Sequence, residues 1–319
     1  MKELKIAVIG AGFWGKNHIR VFNELSETEV VAVCDTNPER AEAAAQKFGL
    51  KSYTDSQKMF KEEKIDAVTL CVWSTNLAGE AMKALEAEKH ILVEKPMASS
   101  AREAFKIIEL ADRKKRHLTV GFIERFNPAV QRFKKLINNG EIGSLVSATA
   151  KRVSRWPERV GDVGVVKDTA IHDIDIMRYV FAEDPMAVYA SAGSLKHARF
   201  EDYAQIMLTF SEGRTAFIEA NWLTPYKIRK LIATGSKAII SLDYITQEMS
   251  IETEGQTLTP REDWKEPLKL ELQHFVECIL KGEEPLVTGL DGLKALEIAE
   301  AALRSATKCR IVKPKGNRT

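Results

Sequence analysis

The sequence predicts an α/β doubly wound parallel sheet of the Rossmann class, followed by an α+β second domain with a mainly antiparallel open sheet. Up to residue 123 short apolar runs alternate with helical patterns, as parallel strands joined by crossovers require. After Pro128 one helical pattern gives way to mostly strand-like segments separated by turn residues. At 319 residues the chain also exceeds the usual single domain. The expected division is 1–123 and 124–319.

The first domain begins with the apolar run Lys5-Ile6-Ala7-Val8-Ile9, which enters Gly10-Ala11-Gly12-Phe13-Trp14-Gly15 and then a helical pattern. A second run, Val30 to Cys34, stops at Asp35. Helices are expected over 38–48, 77–88 and 101–114, and strands over 66–72, 90–93 and 118–122. In the second domain residues 128–138 form a helix, with Val130, Phe133, Leu136 and Ile137 on one face. Residues 204–210 and 215–222 read as a hairpin around Ser211-Glu212-Gly213, with further strands at 228–233, 238–242 and 248–253. Helices at 169–181, 268–280 and 290–307 interrupt and close the region.

The glycine fingerprint gains weight from its setting between a strand and a helix, with an acidic residue ending the next strand. Gly10 suits the tight turn, Gly12 close approach of a pyrophosphate, and Gly15 helix–strand packing, with Phe13 and Trp14 between them. Asp35 suits a ribose diol and opposes a 2′-phosphate, so NAD is the expected cofactor. Arg40 lies near enough to keep NADP in view. The plainer alternative is a tight turn with Asp35 capping a helix.

Composition excludes several classes. A net charge of +2, from 47 basic and 45 acidic residues, argues against nucleic acid or a membrane surface as partner. The four cysteines are widely spaced and suggest neither a disulfide framework nor a zinc site. With no signal-peptide pattern and no membrane-spanning run, a cytoplasmic location is expected.

The strand at 90–93 ends in Glu94-Lys95-Pro96, at the sheet edge where open α/β folds bind ligands. Lys95 there could exchange a proton with a substrate hydroxyl, or simply be a surface lysine paired with Glu94. The fingerprint, Glu94-Lys95-Pro96, Arg125-Phe126-Asn127-Pro128 and Asp168-Thr169-Ala170-Ile171-His172 together resemble the Gfo/Idh/MocA oxidoreductases. The resemblance spans both domains and implies a nicotinamide cofactor in the first and a sugar or polyol substrate over the sheet of the second. It implies catalytic roles for Lys95, Asp168 and His172.

Asp168 and His172, four apart, share one helical face, so the carboxylate can orient the imidazole; Asp175 is an alternative partner. A metal reading of Asp168, His172 and Asp175 is weaker, since nicotinamide chemistry needs no metal here. Two departures from the family pattern stand out: the stretch before Asp168 lacks the usual glycine triplet, and Val72-Trp73-Ser74-Thr75-Asn76 replaces a Thr-Pro loop near the cofactor. Val72, Trp73, Asn76, Glu94, Pro96 and Arg125 join the fingerprint as expected cofactor contacts.

The segment 151–162, with Arg152, Arg155, Trp156 and Arg159, suits an anionic substrate or is a solvated basic loop. Trp222 and Arg229 are weaker candidates of the same kind. The phrases around Glu124 to Val130 and Val165 to Asp175 are most similar to the branch acting on nucleotide sugars, UDP-N-acetylglucosamine 3-dehydrogenases above all. The competing expectations are a free sugar or inositol dehydrogenase and a non-catalytic NAD-binding regulator. A homodimer or homotetramer follows from the resemblance.

Overall fold

The computed structural model describes residues 3–157, 161–261 and 263–314. The chain divides into two compact units, Met1–Phe122 with Leu268–Leu293, and Ile123–Pro267 with Lys294–Thr319. The expected division into 1–123 and 124–319 therefore needs correction, because a late segment returns to the first unit.

In the first unit the order is β1 (Leu4–Ile9), α1 (Phe13–Glu24), β2 (Thr28–Cys34), α2 (Pro38–Phe48), β3 (Lys51–Tyr53), α3 (Ser56–Glu62), β4 (Ala67–Leu70), α4 (Ser74–Glu86), β5 (His90–Glu94), α5 (Ala101–Lys114) and β6 (Leu118–Gly121). These strands form one parallel sheet in the order β3-β2-β1-β4-β5-β6. β1, β4 and β5 are almost wholly buried, as parallel strands covered on both faces must be. The strand order reverses between β1 and β4, the switch point at which such sheets bind ligands.

Local chemistry sets the helix starts. Asn37 caps α2 by accepting from the Arg40 backbone N–H, with Pro38 following, and Ser100 caps α5 by accepting from Glu103. α1 differs, since its N-cap is Gly12 and no side chain caps it.

In the second unit a 3-10 turn (Ile123–Phe126) leads to α6 (Pro128–Asn138) and β7 (Leu145–Val153). Then come a π turn (Val166–Ala170) running into α7 (Ile171–Phe181), and β8 (Ala187–Gly193), β9 (Tyr203–Thr209), β10 (Thr215–Asn221), β11 (Ile228–Gly235), β12 (Ile239–Asp243), β13 (Met249–Thr253) and β14 (Gln256–Leu258). The sheet order is β14-β13-β12-β11-β7-β10-β9-β8, antiparallel except where β10 runs parallel to β7. β7 was not expected from the sequence. Its buried positions carry Leu145, Ala148, Ala150, Arg152 and Val153, with large apolar side chains only at the two ends, too few to announce a strand.

α7 packs on β7 and β10, and one face of the sheet is thereby covered. On β8, β10 and β11, Tyr189, Phe217 and Ile232 are exposed and fall in one cross-strand row with Met207 and Thr149. The chain closes with α8 (Pro267–Lys281) and α9 (Gly289–Lys308). Contacts explain why residues after 267 rejoin the first unit: Lys269 pairs with Glu24 at 3.3 Å, and Thr288 bridges Thr119. Among the described residues no helix is long and apolar enough to cross a membrane.

Candidate active site

At the carboxyl edge of the parallel sheet the structure gathers Gly10–Gly15, Asp35, the loop after β4 and Glu94-Lys95-Pro96. Gly10 has φ +100°, and a Cβ there would lie 2.4 Å from the Cys71 carbonyl oxygen. A Cβ on Gly15 would lie 1.7 Å from the Gly10 carbonyl oxygen. Neither position tolerates a side chain, so the turn and the helix–strand approach both depend on glycine.

The uncapped first turn of α1 leaves its N–H groups and the positive end of the helix dipole for an anion, which is the chemistry a pyrophosphate supplies. Phe13 and Trp14, on that turn, are 74% and 39% exposed and meet edge to face at 5.6 Å. Asp35 accepts from the Ala11 N–H at 2.8 Å and the Asn37 N–H at 2.9 Å, one bond per oxygen. Its carboxylate is thereby held beside the glycine turn with acceptor capacity left for a diol. Arg40 lies exposed on α2.

Val72 abuts Gly10, since a Cβ on that glycine would lie 3.2 Å from Val72 Cγ1. Trp73 is the N-cap of α4 and Asn76 is exposed on its first turn. Glu94 is buried, Lys95 is half-buried, and the Lys95–Pro96 bond is cis.

In the second unit Asp168 lies in the π turn and His172 at the start of α7, on one continuous helical run. Nothing in the residue pattern signals the wider turn. Single π turns inside helices recur at functional sites. Thr169 Oγ1 accepts from the Trp222 indole N–H at 2.9 Å and donates to Asp168 Oδ2 at 3.3 Å. Glu201 Oε1 accepts from the Val166 N–H at 3.1 Å, and burial pushes the Glu201 carboxyl up.

Three expected contacts are corrected. Arg152, 3% exposed, donates to both Asp173 oxygens at 2.7 and 3.1 Å and to Glu124 at 2.8 Å. Burial opposes its charge, yet Asp173 and Glu124 hold its guanidinium above the ordinary value. A side chain so committed has no hand for a substrate. Arg125, expected at the cofactor, is buried and makes a bidentate pair with Asp175 at 2.7 and 2.6 Å. Trp222 is buried beneath the π turn, so it supports Asp168 instead of facing a substrate.

Arg155 is exposed past the end of β7, with Nε donating to the Pro225 carbonyl at 2.5 Å. Arg159 lies outside the described residues. Trp156 is half-buried, meets Trp222 edge to face at 6.1 Å, stacks with His197 at 6.2 Å and has Lys196 Nζ 6.0 Å from its ring. Lys196 and His197 were missed because they lie far from Trp156 in sequence. Asp202 brings them there: its carboxylate accepts the backbone N–H groups of Leu195, Lys196 and His197. Burial opposes that charge, but the N–H groups outweigh it and hold the carboxyl below its ordinary range.

A parallel sheet with a glycine cradle, an anion-ready helix and an aspartate held beside the cradle has the form of a dinucleotide-binding domain. The family description "Oxidoreductase family, NAD-binding Rossmann fold" matches residues 4–122, and the "GFO/IDH/MocA C-terminal domain" matches residues 130–241. The chain belongs to the Gfo/Idh/MocA family, and NAD is its cofactor. It is 30% identical over 327 residues to an inositol 2-dehydrogenase of Rhizobium meliloti, covering 96% of this chain and 98% of the relative. Its fold matches a levoglucosan dehydrogenase in complex with NADH and levoglucosan, with a TM-score of 0.91 at 23% identity over 99% and 100% of the two chains. It also matches the UDP-N-acetylglucosamine 3-dehydrogenase GnnA from Acidithiobacillus ferrooxidans, with a TM-score of 0.86 at 23% identity over 96% and 98%. The chain is an NAD-dependent sugar or polyol oxidoreductase.

Proposed function

We propose that the enzyme oxidises a ring hydroxyl of a nucleotide sugar, with C3 of UDP-N-acetylglucosamine the leading candidate. Bound NAD would supply the hydride acceptor for the ring carbon, while Lys95 takes up the hydroxyl proton and His172, oriented by Asp168, relays it. The observation that carries the nucleotide part is the Trp156 platform. An indole backed by His197 and Lys196, with Arg155 one residue away, offers a stacking surface and cations for a base and a diphosphate. Trp222 links that platform to the Asp168 turn.

A second reading, a free inositol or sugar dehydrogenase, is supported by the 30% identity to the inositol 2-dehydrogenase. Retention of Lys95, Asp168 and His172 favours either enzyme over a non-catalytic regulator. The exposed row Tyr189–Phe217–Ile232 is the surface through which copies would pair as a homodimer or homotetramer, checked by light scattering. Four free cysteines suit a reducing compartment such as the cytoplasm.

The test is NADH formation at saturating NAD with UDP-N-acetylglucosamine, other nucleotide sugars, myo-inositol and free hexoses. Turnover confined to nucleotide sugars is expected. Turnover of myo-inositol alone replaces the first reading by the second.

A further inference from the structure

His18 has no part in the chemistry described so far. It lies on the inner face of α1, completely buried, one helical turn beyond the glycine fingerprint. Its Nδ1 is 2.9 Å from Thr69 Oγ1 on β4, and its Nε2 is 3.1 Å from Glu94 Oε1 at the end of β5. The other Glu94 oxygen accepts from the Lys95 backbone N–H at 3.3 Å. Gly121 on the neighbouring β6 leaves room for this carboxylate, since a Cβ there would lie 3.1 Å from it.

We propose that His18 is a positioning residue: by holding the Glu94 carboxylate it ties the strand end that bears Lys95 to the helix whose N-terminus serves the dinucleotide. A buried imidazole–carboxylate pair is a poor device for stability alone, because desolvation consumes most of the attraction and apolar replacements of equal volume often fold as well. The arrangement makes sense where position and charge matter. Burial disfavours the imidazolium, yet Cys71 and Glu94 beside it outweigh burial and hold His18 protonated well above its ordinary range. As a cation it donates from both nitrogens, and the Thr69 hydroxyl is left to donate to Cys71 Sγ at 3.8 Å.

The inference rests on the reading of Lys95 as the proton-exchanging group, but its test needs no substrate. The intact chain is labelled with trace acetic anhydride at fixed pH, and acetylation of Lys95 is read by mass spectrometry relative to exposed lysines. His18→Asn keeps a polar group near Thr69 but cannot reach Glu94, so the carboxylate next to Lys95 loses its counter-charge and labelling slows by about threefold or more. Glu94→Gln removes the negative charge and speeds labelling. Opposite signs are the expected signature, in variants that still bind NADH. Loosened packing would move both variants the same way, and either a common direction or no change overturns the proposal.

A measurement on the unaltered chain covers the case in which the variants fail to fold. With 15N-labelled histidine, one buried ring should remain protonated at both nitrogens at a pH where exposed histidines have become neutral. A neutral His18 ring there overturns the proposal. Failure of the Lys95 reading would show separately, as full turnover in a Lys95 variant whose other lysines label normally.

Discussion

The two units present their polar groups in different ways. In the first, the features that suit NAD are largely main chain: a turn at Gly10 that excludes a Cβ, a helix start with no capping side chain, and an aspartate fixed by two backbone N–H groups. In the second, everything turns on side chains carried by β7, the π turn, α7 and the loop before β9. There, arginines that look alike in sequence diverge: Arg152 is locked between two acids inside the unit, whereas Arg155, three residues on, is exposed. Backbone-built sites announce themselves by spacing, while side-chain sites depend on which way a strand faces.

The largest expected effect lies in the first unit. Lys95→Met should lower turnover by about 10²- to 10⁴-fold, the usual worth of general acid–base catalysis, while the NADH dissociation constant measured by fluorescence titration changes little. Near-native turnover would remove Lys95 from the chemistry and leave the cradle as a binding device only.

The contrast within the second unit is sharpened by a pair of substitutions. Arg152→Leu strands buried Asp173 without its cation and leaves Glu124 only the longer pair with Arg229 at 3.5 Å, and should destabilise the unit by about 3–5 kcal/mol in denaturant unfolding. Arg155→Ala should leave stability within about 0.5 kcal/mol of the parent, as exposed substitutions usually do. Its effect should be a raised KM for a nucleotide sugar, the mark of uniform binding lost. Equal unfolding behaviour of the two would break the distinction drawn between them.

The smallest effect concerns cofactor choice. Asp35→Ala removes the diol acceptor and the charge opposing a 2′-phosphate, so NAD should bind more weakly and the preference over NADP should narrow. Tighter binding of NADP than NAD by the parent chain would contradict the role given to Asp35.

Much of the fold was legible because its cues are local. The run into Gly10, the stop at Asp35 and the strand ending in Glu94 need only pattern and turn chemistry, and the family resemblance came from the same short phrases. β7 escaped because alanines and a paired arginine fill its inward positions. Reading 151–162 as a basic loop then assigned Arg152 to a substrate. The π turn at Asp168 and the seating of His197 on Trp156 are tertiary outcomes: Glu201 holds Val166 from far along the chain, and Asp202 folds the loop just before it so that His197 reaches Trp156. His18 was passed over because a lone histidine on a helix face carries no signal until its neighbours are known.

Hydride transfer from the sugar ring to NAD is most directly tested by isotope. UDP-N-acetylglucosamine deuterated at C3 is incubated with NAD and the enzyme, and the reduced cofactor is analysed by mass spectrometry. The account predicts NADH carrying one deuterium at C4 of the nicotinamide and slowed turnover relative to the unlabelled sugar. Reduced cofactor without deuterium would contradict C3 as the hydride donor, and no reduced cofactor at all would contradict the nucleotide-sugar assignment.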